Sequence, residues 1–143
     1  MTDYLTLSRV ALGPATGAAT FLLLTGGHFP RARPRPLGRA MHIRWLALVA
    51  TAALEELVWR GIVLRGLVVL VGLWVALAVS SVAFAIWHAP ALRGRCAVHL
   101  VTGGTFGGAF LVGGIVAAML AHTIYNLLVD WAVQAERARP RGP

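Results

Sequence analysis

The sequence predicts an all-α fold, a polytopic bundle of about five transmembrane helices, and three observations carry this. Apolar residues make up 58% of the chain and charged residues 13%, about half the charged share of soluble domains. Three long segments, 10–30, 66–92 and 96–129, contain no Asp, Glu, Lys or Arg. The remaining charge is one-sided: 13 basic residues, all arginine, against 5 acidic ones, for a net charge of +8. That is too little polar surface to cover a soluble core of this size. It is also too much apolar surface for a disordered chain. The single cysteine, Cys96, rules out an internal disulfide framework.

A span needs about 20 apolar residues, and each element follows from that length. Segment 10–30 is read as one span, kinked by Gly13, Pro14 and Gly17 and loosened at its end by Gly26 and Gly27. A cleaved signal peptide is the rival reading. Against it, the preceding residues carry both Asp3 and Arg9, and no small-x-small cleavage site follows cleanly. Segment 43–64 is a second helix, apolar apart from Arg44, Glu55, Glu56 and Arg60. The third span lies within 66–92. Segment 96–129 would be about 51 Å long as one helix, against a hydrocarbon core of about 30 Å. Gly113-Gly114 supplies the turn that divides it into helices near 97–112 and 115–134. Gly103, Gly104, Gly107 and Gly108 form two small-xxx-small pairs suited to close helix approach in lipid.

Arginine placement predicts the orientation. Linker 31–44 (Arg31, Arg33, Arg35, Arg39, Arg44), loop 91–96 (Arg93, Arg95) and the tail (Arg137, Arg139, Arg141) fall on one side, the cytoplasmic one. Only Arg9, Arg60 and Arg65 fall on the other. The expected setting is a bacterial-type plasma membrane, with anionic lipids as partners of the basic loops. Nucleic acid is not expected, because the arginines flank apolar runs and form no basic helix. The organisation is then an N-terminal span and basic linker (1–42), a helical core (43–134) and a basic tail (135–143).

Glu55, Glu56 and Arg60 would together cost roughly 7–10 kcal/mol at mid-bilayer. The ten Leu, Ile and Val residues of 43–64 return only about 3–6 kcal/mol. The polar groups therefore need partners. Glu56 and Arg60 are spaced i,i+4 and can neutralise one another. Glu55 has no such neighbour, so its partner must be another helix, water or its own proton. Phe84 with His88, and His122 with Asn126, are also i,i+4 pairs, each on one face of its helix. A lone histidine in an apolar helix is usually a structural hydrogen-bonder. Three spans that each carry such groups point to function instead. Depth adds a check: Glu55 and His122 both lie about 18 Å from the cytoplasmic ends of their helices. His88 comes out shallower, at about 10 Å, so helix tilt or a non-helical 88–90 region must make up the difference.

The residues Glu55-Glu56-Leu57-Val58-Trp59-Arg60 resemble the EExxxR motif of the CPBP intramembrane proteases. These are the CAAX-processing and bacteriocin-processing, or Abi, enzymes, related to the Ras-converting CAAX endopeptidase. Phe84-Ala85-Ile86-Trp87-His88 resembles their FxxxH motif, and His122-Thr123-Ile124-Tyr125-Asn126 their HxxxN motif. The resemblance covers about residues 45–133, with the motifs in family order and each on its own apolar span. It implies an intramembrane endopeptidase acting on a membrane-embedded or lipidated protein or peptide. It also implies catalytic roles: Glu55 and His88 activate water, and His122 and Asn126 hold the oxyanion. Glu56, Arg60 and Phe84 support them.

The resemblance implies a glutamate mechanism with no metal cofactor. Zinc is the alternative, because one Glu and two His form an acceptable catalytic set, although the HExxH pattern is absent. Two other readings stand beside the protease. One is a non-catalytic scaffold or immunity-type member of the same fold, since one span precedes the glutamate motif where family members usually carry several. The other is a small proton or solute transporter that uses Glu55 and the histidines as a relay.

Overall fold

The computed structural model describes residues 2–29, 38–88 and 96–138. All regular structure among them is helical. Helix α1 is Thr2–Leu24. Helix α2, Arg39–Glu56, runs on through a π-helical stretch, Leu57–Leu64, into α3, Arg65–Val71. Helix α4 is Leu73–His88, and α5 is Cys96–Arg137. The all-helical class is as expected. By length and composition, α5 is the one helix among the described residues that qualifies as a membrane span, where five were expected. Val10–Leu24 and Leu73–His88 are apolar but shorter.

Helix α5 is a hairpin of two limbs. Gly114 has φ 78° and ψ −173°, a conformation open to glycine because it lacks a Cβ. Phe106 and His122 would be about 24 Å apart along a straight helix, yet their rings stack with centroids 4.9 Å apart. The chain therefore reverses at the Gly113-Gly114 pair, as the sequence predicts. The limbs 96–113 and 115–137 close on a core of Phe106, Ala109 and Ala121, with Tyr125 packed against it.

Two boundaries differ from expectation. Helix α1 starts well before residue 10, continues through Pro14 and stops at Leu24. There Gly26 and Gly27 take positive φ, and the Gly27 N–H closes on the Leu22 carbonyl at 2.8 Å, a Schellman-type end. The helix expected to end at residue 64 continues to Val71 and turns at Gly72 (φ 80°). Arg65 is exposed and does not interrupt it. The backbone breaks at the glycine that adopts positive φ, not at the charged residue. Most of the basic linker (30–37), the loop 89–95 and the tail from 139 lie outside the described residues, and with them most of the arginines behind the expected orientation.

Small residues set the helix spacing. A Cβ on Gly13 would lie 2.6 Å from the Ala117 carbonyl oxygen, and one on Gly17 would meet the Ala121 carbonyl. Helix α1 thus lies directly on the second limb of α5 through a G-xxx-G seam. Of the four glycines expected to serve this way in the first limb, Gly103 abuts Ser81 and Gly107 abuts Leu77, while Gly104 and Gly108 face open space.

Candidate active site

The end of α2, the π stretch, the last residue of α4 and both limbs of α5 meet around one polar cluster. Glu56 and Arg60 are wholly buried, with Arg60 Nε 3.2 Å from Glu56 Oε2. The i,i+4 pairing holds even though the turn between them is π-helical rather than α-helical. The widened turn is evident at its end, where the Arg65 N–H reaches back five residues to the Arg60 carbonyl. Arg60 Nη2 also donates to the Gly103 carbonyl at 3.1 Å. Its guanidinium carbon lies 4.9 Å from the centre of the Phe84 ring, a cation–π contact in a desolvated setting. Arg60 therefore ties three helices together.

Glu56 has a second task that the sequence did not disclose. Its Oε1 is 2.9 Å from His122 Nδ1. A carboxylate beside a buried guanidinium accepts, so Nδ1 donates, and Nε2 is the nitrogen left to face the site. His88 is held in the same sense. Its Nδ1 is 2.8 Å from the Phe84 carbonyl, which can only accept. Both Nε2 atoms face Glu55 Oε2, His88 at 3.6 Å and His122 at 3.8 Å. The partners of Glu55 are thus two histidines from other helices. The separations exceed direct hydrogen-bond range and suit groups that share a small bridging molecule.

The depth agreement between Glu55 and His122 is realised in this contact. His88 reaches the same group from the last described turn of α4, and residues 89 and 90 lie outside the described residues. Phe84 is the packing hub: its ring centroid is 4.3 Å from that of His88, 5.7 Å from Trp59 and 6.3 Å from His122. Asn126 lies one turn beyond His122, half-buried, and makes no side-chain hydrogen bond among the described residues. Among the described residues, no three His, Cys, Asp or Glu side chains are grouped to hold a metal ion. Glu55 opens onto a cavity of about 410 Å³ lined otherwise by Leu54, Val58, Trp59 and Trp87. It is an open groove, since Leu54, Val58 and Trp87 are all exposed.

Sequence reasoning missed three contributors. His99 stacks on His88, and Phe106 stacks on His122. Neither belongs to a spaced motif, and the only signal for His99 was one more ionisable group in an apolar run. Buried Asp130 anchors a second cluster nearer the chain end. It accepts from Trp45 Nε1 at 3.1 Å and Gln134 Nε2 at 2.7 Å, and it pairs with Arg44.

No curated protein and no solved structure matches the chain. The family model described as "Type II CAAX prenyl endopeptidase Rce1-like" matches residues 38–128. That range takes in α2, the π stretch, α3, α4 and α5 as far as residue 128, and with them the whole polar cluster. The chain therefore belongs to the Rce1-like family, membrane-embedded CAAX-type peptidases.

Proposed function

We propose that the chain is an intramembrane endopeptidase that hydrolyses a peptide bond of a membrane-associated, lipidated or membrane-embedded substrate, using Glu55, His88, His122 and Asn126. The observation that carries this reading is the convergence of Glu55 Oε2 with the Nε2 atoms of His88 and His122. Three polar atoms meet at one point, and a water molecule can supply hydrogens to two of them. Glu55 takes the proton of that water as it attacks the scissile carbonyl, with His88 orienting the second hydrogen, and then hands the proton to the amine nitrogen as the C–N bond breaks. The developing oxyanion needs donors. Asn126 offers its amide. His122, held at Nδ1 by Glu56 Oε1, turns Nε2 to the same point. Glu56 is then a positioning residue, in the way a buried aspartate orients the histidine of a serine-protease triad.

The apolar groove beside Glu55 receives the hydrophobic part of the substrate next to the scissile bond. The chain crosses the membrane in about five spans, with the basic linker, the loop at 91–96 and the tail in the cytoplasm, where anionic lipids meet the arginines. The reaction uses no metal. Glu and two His are chemically suited to zinc, so elemental analysis of active protein decides the point. Stoichiometric zinc that tracks activity through chelation and add-back would replace the glutamate mechanism with a metal one. The test of the function itself is cleavage of a lipidated peptide, or of a membrane-protein segment, by protein purified in detergent. Turnover that is lost in Glu55→Gln is expected. Folded wild-type protein with no cleavage of either substrate class would favour the non-catalytic scaffold.

A further inference from the structure

His88 lies in the last described turn of α4, and the contacts of its ring set where the ring points. For Nε2 to face Glu55, the ring must hold one value of χ2. A half-turn about Cβ–Cγ would put Cδ2 against the Phe84 carbonyl and Cε1 toward Glu55, and the site would lose its base. Two flat groups pack against the ring from adjacent sides. Phe84 lies with its centroid 4.3 Å away, tilted by 47°. His99, from the first turn of α5, lies 4.4 Å away and nearly parallel, at 22°. His99 is itself seated on the Phe84 ring, 5.7 Å away and nearly edge-on at 68°. Its ring nitrogens make no hydrogen bond among the described residues; what it presents to His88 is a plane.

We propose that His99 is a positioning residue, whose imidazole plane locks the His88 ring in the rotamer that keeps Nδ1 on the Phe84 carbonyl and aims Nε2 at Glu55. The proposal rests on the functional reading above only for its catalytic consequence. The lock itself is a statement about His88. A ring swinging about χ2 must pass through an edge-on orientation, and at 4.4 Å the His99 ring occupies that space. A flat ring of any kind at position 99 does the same work, and an ionisable nitrogen is not required.

The test compares His99→Phe, which keeps the plane and removes the nitrogens, with His99→Ala, which removes both. Each is purified in the same detergent as the wild type and checked for an unchanged melting temperature; His99→Leu replaces Ala if Ala lowers it. In a peptide-cleavage assay, His99→Phe is expected to stay within about threefold of wild-type kcat. His99→Ala is expected to lose about 10- to 100-fold in kcat with KM little changed, the scale of misplacing a reacting group by about 1 Å. Imidazole nitrogen spectra of histidine-labelled protein give a second readout independent of turnover. His88 should show one Nδ1-protonated tautomer in the wild type and His99→Phe, and an averaged signal in His99→Ala. Loss of activity in His99→Phe equal to that in His99→Ala would overturn the proposal and make the nitrogen the working part. An unchanged His88 signal in His99→Ala would also overturn it. A wild type that cleaves nothing would sink the protease reading alone, and the spectra would still decide for or against the lock.

Discussion

Two carboxylate–arginine pairs join the molecule at different levels. Glu56–Arg60 sits in the middle, with both side chains wholly buried. Arg44–Asp130 sits near the other end of α2, where the arginine is 51% exposed and the carboxylate only 3%. Both clusters connect α2, or the turn continuing it, to the second limb of α5. They differ in what is left over. Asp130 gathers Trp45, Gln134 and Arg44 on a single carboxylate. The inner cluster has one acid more than it has arginines. Glu56 is consumed by Arg60 and His122, and Glu55 is left facing two histidine Nε2 atoms and an apolar groove. The surplus acid is what separates a site from a latch. Burial then sets how much each pair is worth, because desolvation raises both the attraction within a pair and the cost of breaking it.

The largest effect comes from removing the surplus. Glu55→Gln or His88→Ala should lower peptide cleavage by about 10²–10⁴-fold, the usual loss for a general base, with the melting temperature close to wild type. The matching change in the outer cluster, Asp130→Asn, should leave kcat unchanged. Activity assays beside melting curves check both. If Asp130→Asn were as inactive as Glu55→Gln, the distinction between site and latch would fail. Next is the inner pair itself. Arg60→Ala or Glu56→Gln leaves a charge buried without its partner, at a cost of about 3–5 kcal/mol. Expression yield and denaturant unfolding in detergent are the measurements. A well-folded but inactive Arg60→Ala protein would show instead that Arg60 acts on the substrate.

This contrast was half legible in the sequence. The i,i+4 spacing gave Glu56–Arg60, and equal depth brought Glu55 to His122, because helical rise converts residue number into height. The Gly113-Gly114 reversal was legible for the same reason: one helix of that length does not fit. The turn at Gly72 was not, since Gly66 beside Arg65 offers the same local signal and only tertiary packing selects between them. Asp130, His99 and the Glu56–His122 bond were also hidden. Each is a contact between residues distant in the chain, with no period or motif to announce it. Gly13 and Gly17 were visible but misread as weak points of a helix, when their missing side chains are what admit the second limb of α5.

That seam gives the next effect in size. Gly17→Ala places a methyl group against the Ala121 carbonyl, next to His122. Overpacking of this kind costs about 1–3 kcal/mol. Because α1 presses on the same limb that both clusters hold, the loss should appear as a lower melting temperature. Gly104→Ala, whose new Cβ meets nothing, is the control and should not lower it.

The smallest effect tests the other half of the comparison. Arg44→Gln breaks an ion pair as Arg60→Ala does, and Asp130 is nearly as buried as Glu56. If pairing alone set the value, the two changes would cost alike. The outer arginine, however, is half in solvent, so its charge is screened and its loss leaves little uncompensated. Asp130 also keeps the Trp45 and Gln134 hydrogen bonds on Oδ2, so only Oδ1 loses its partner. The expected cost is about 0.2–1 kcal/mol, the range of exposed pairs, and it should shrink further as salt rises. The cost of Arg60→Ala should not depend on salt, because the buried pair has no access to counterions. Unfolding of both variants at low and high ionic strength measures this directly. A salt-independent loss of several kcal/mol in Arg44→Gln would mean that the outer pair is as dry as the inner one, and that depth in the bundle, rather than exposure of the arginine, governs both.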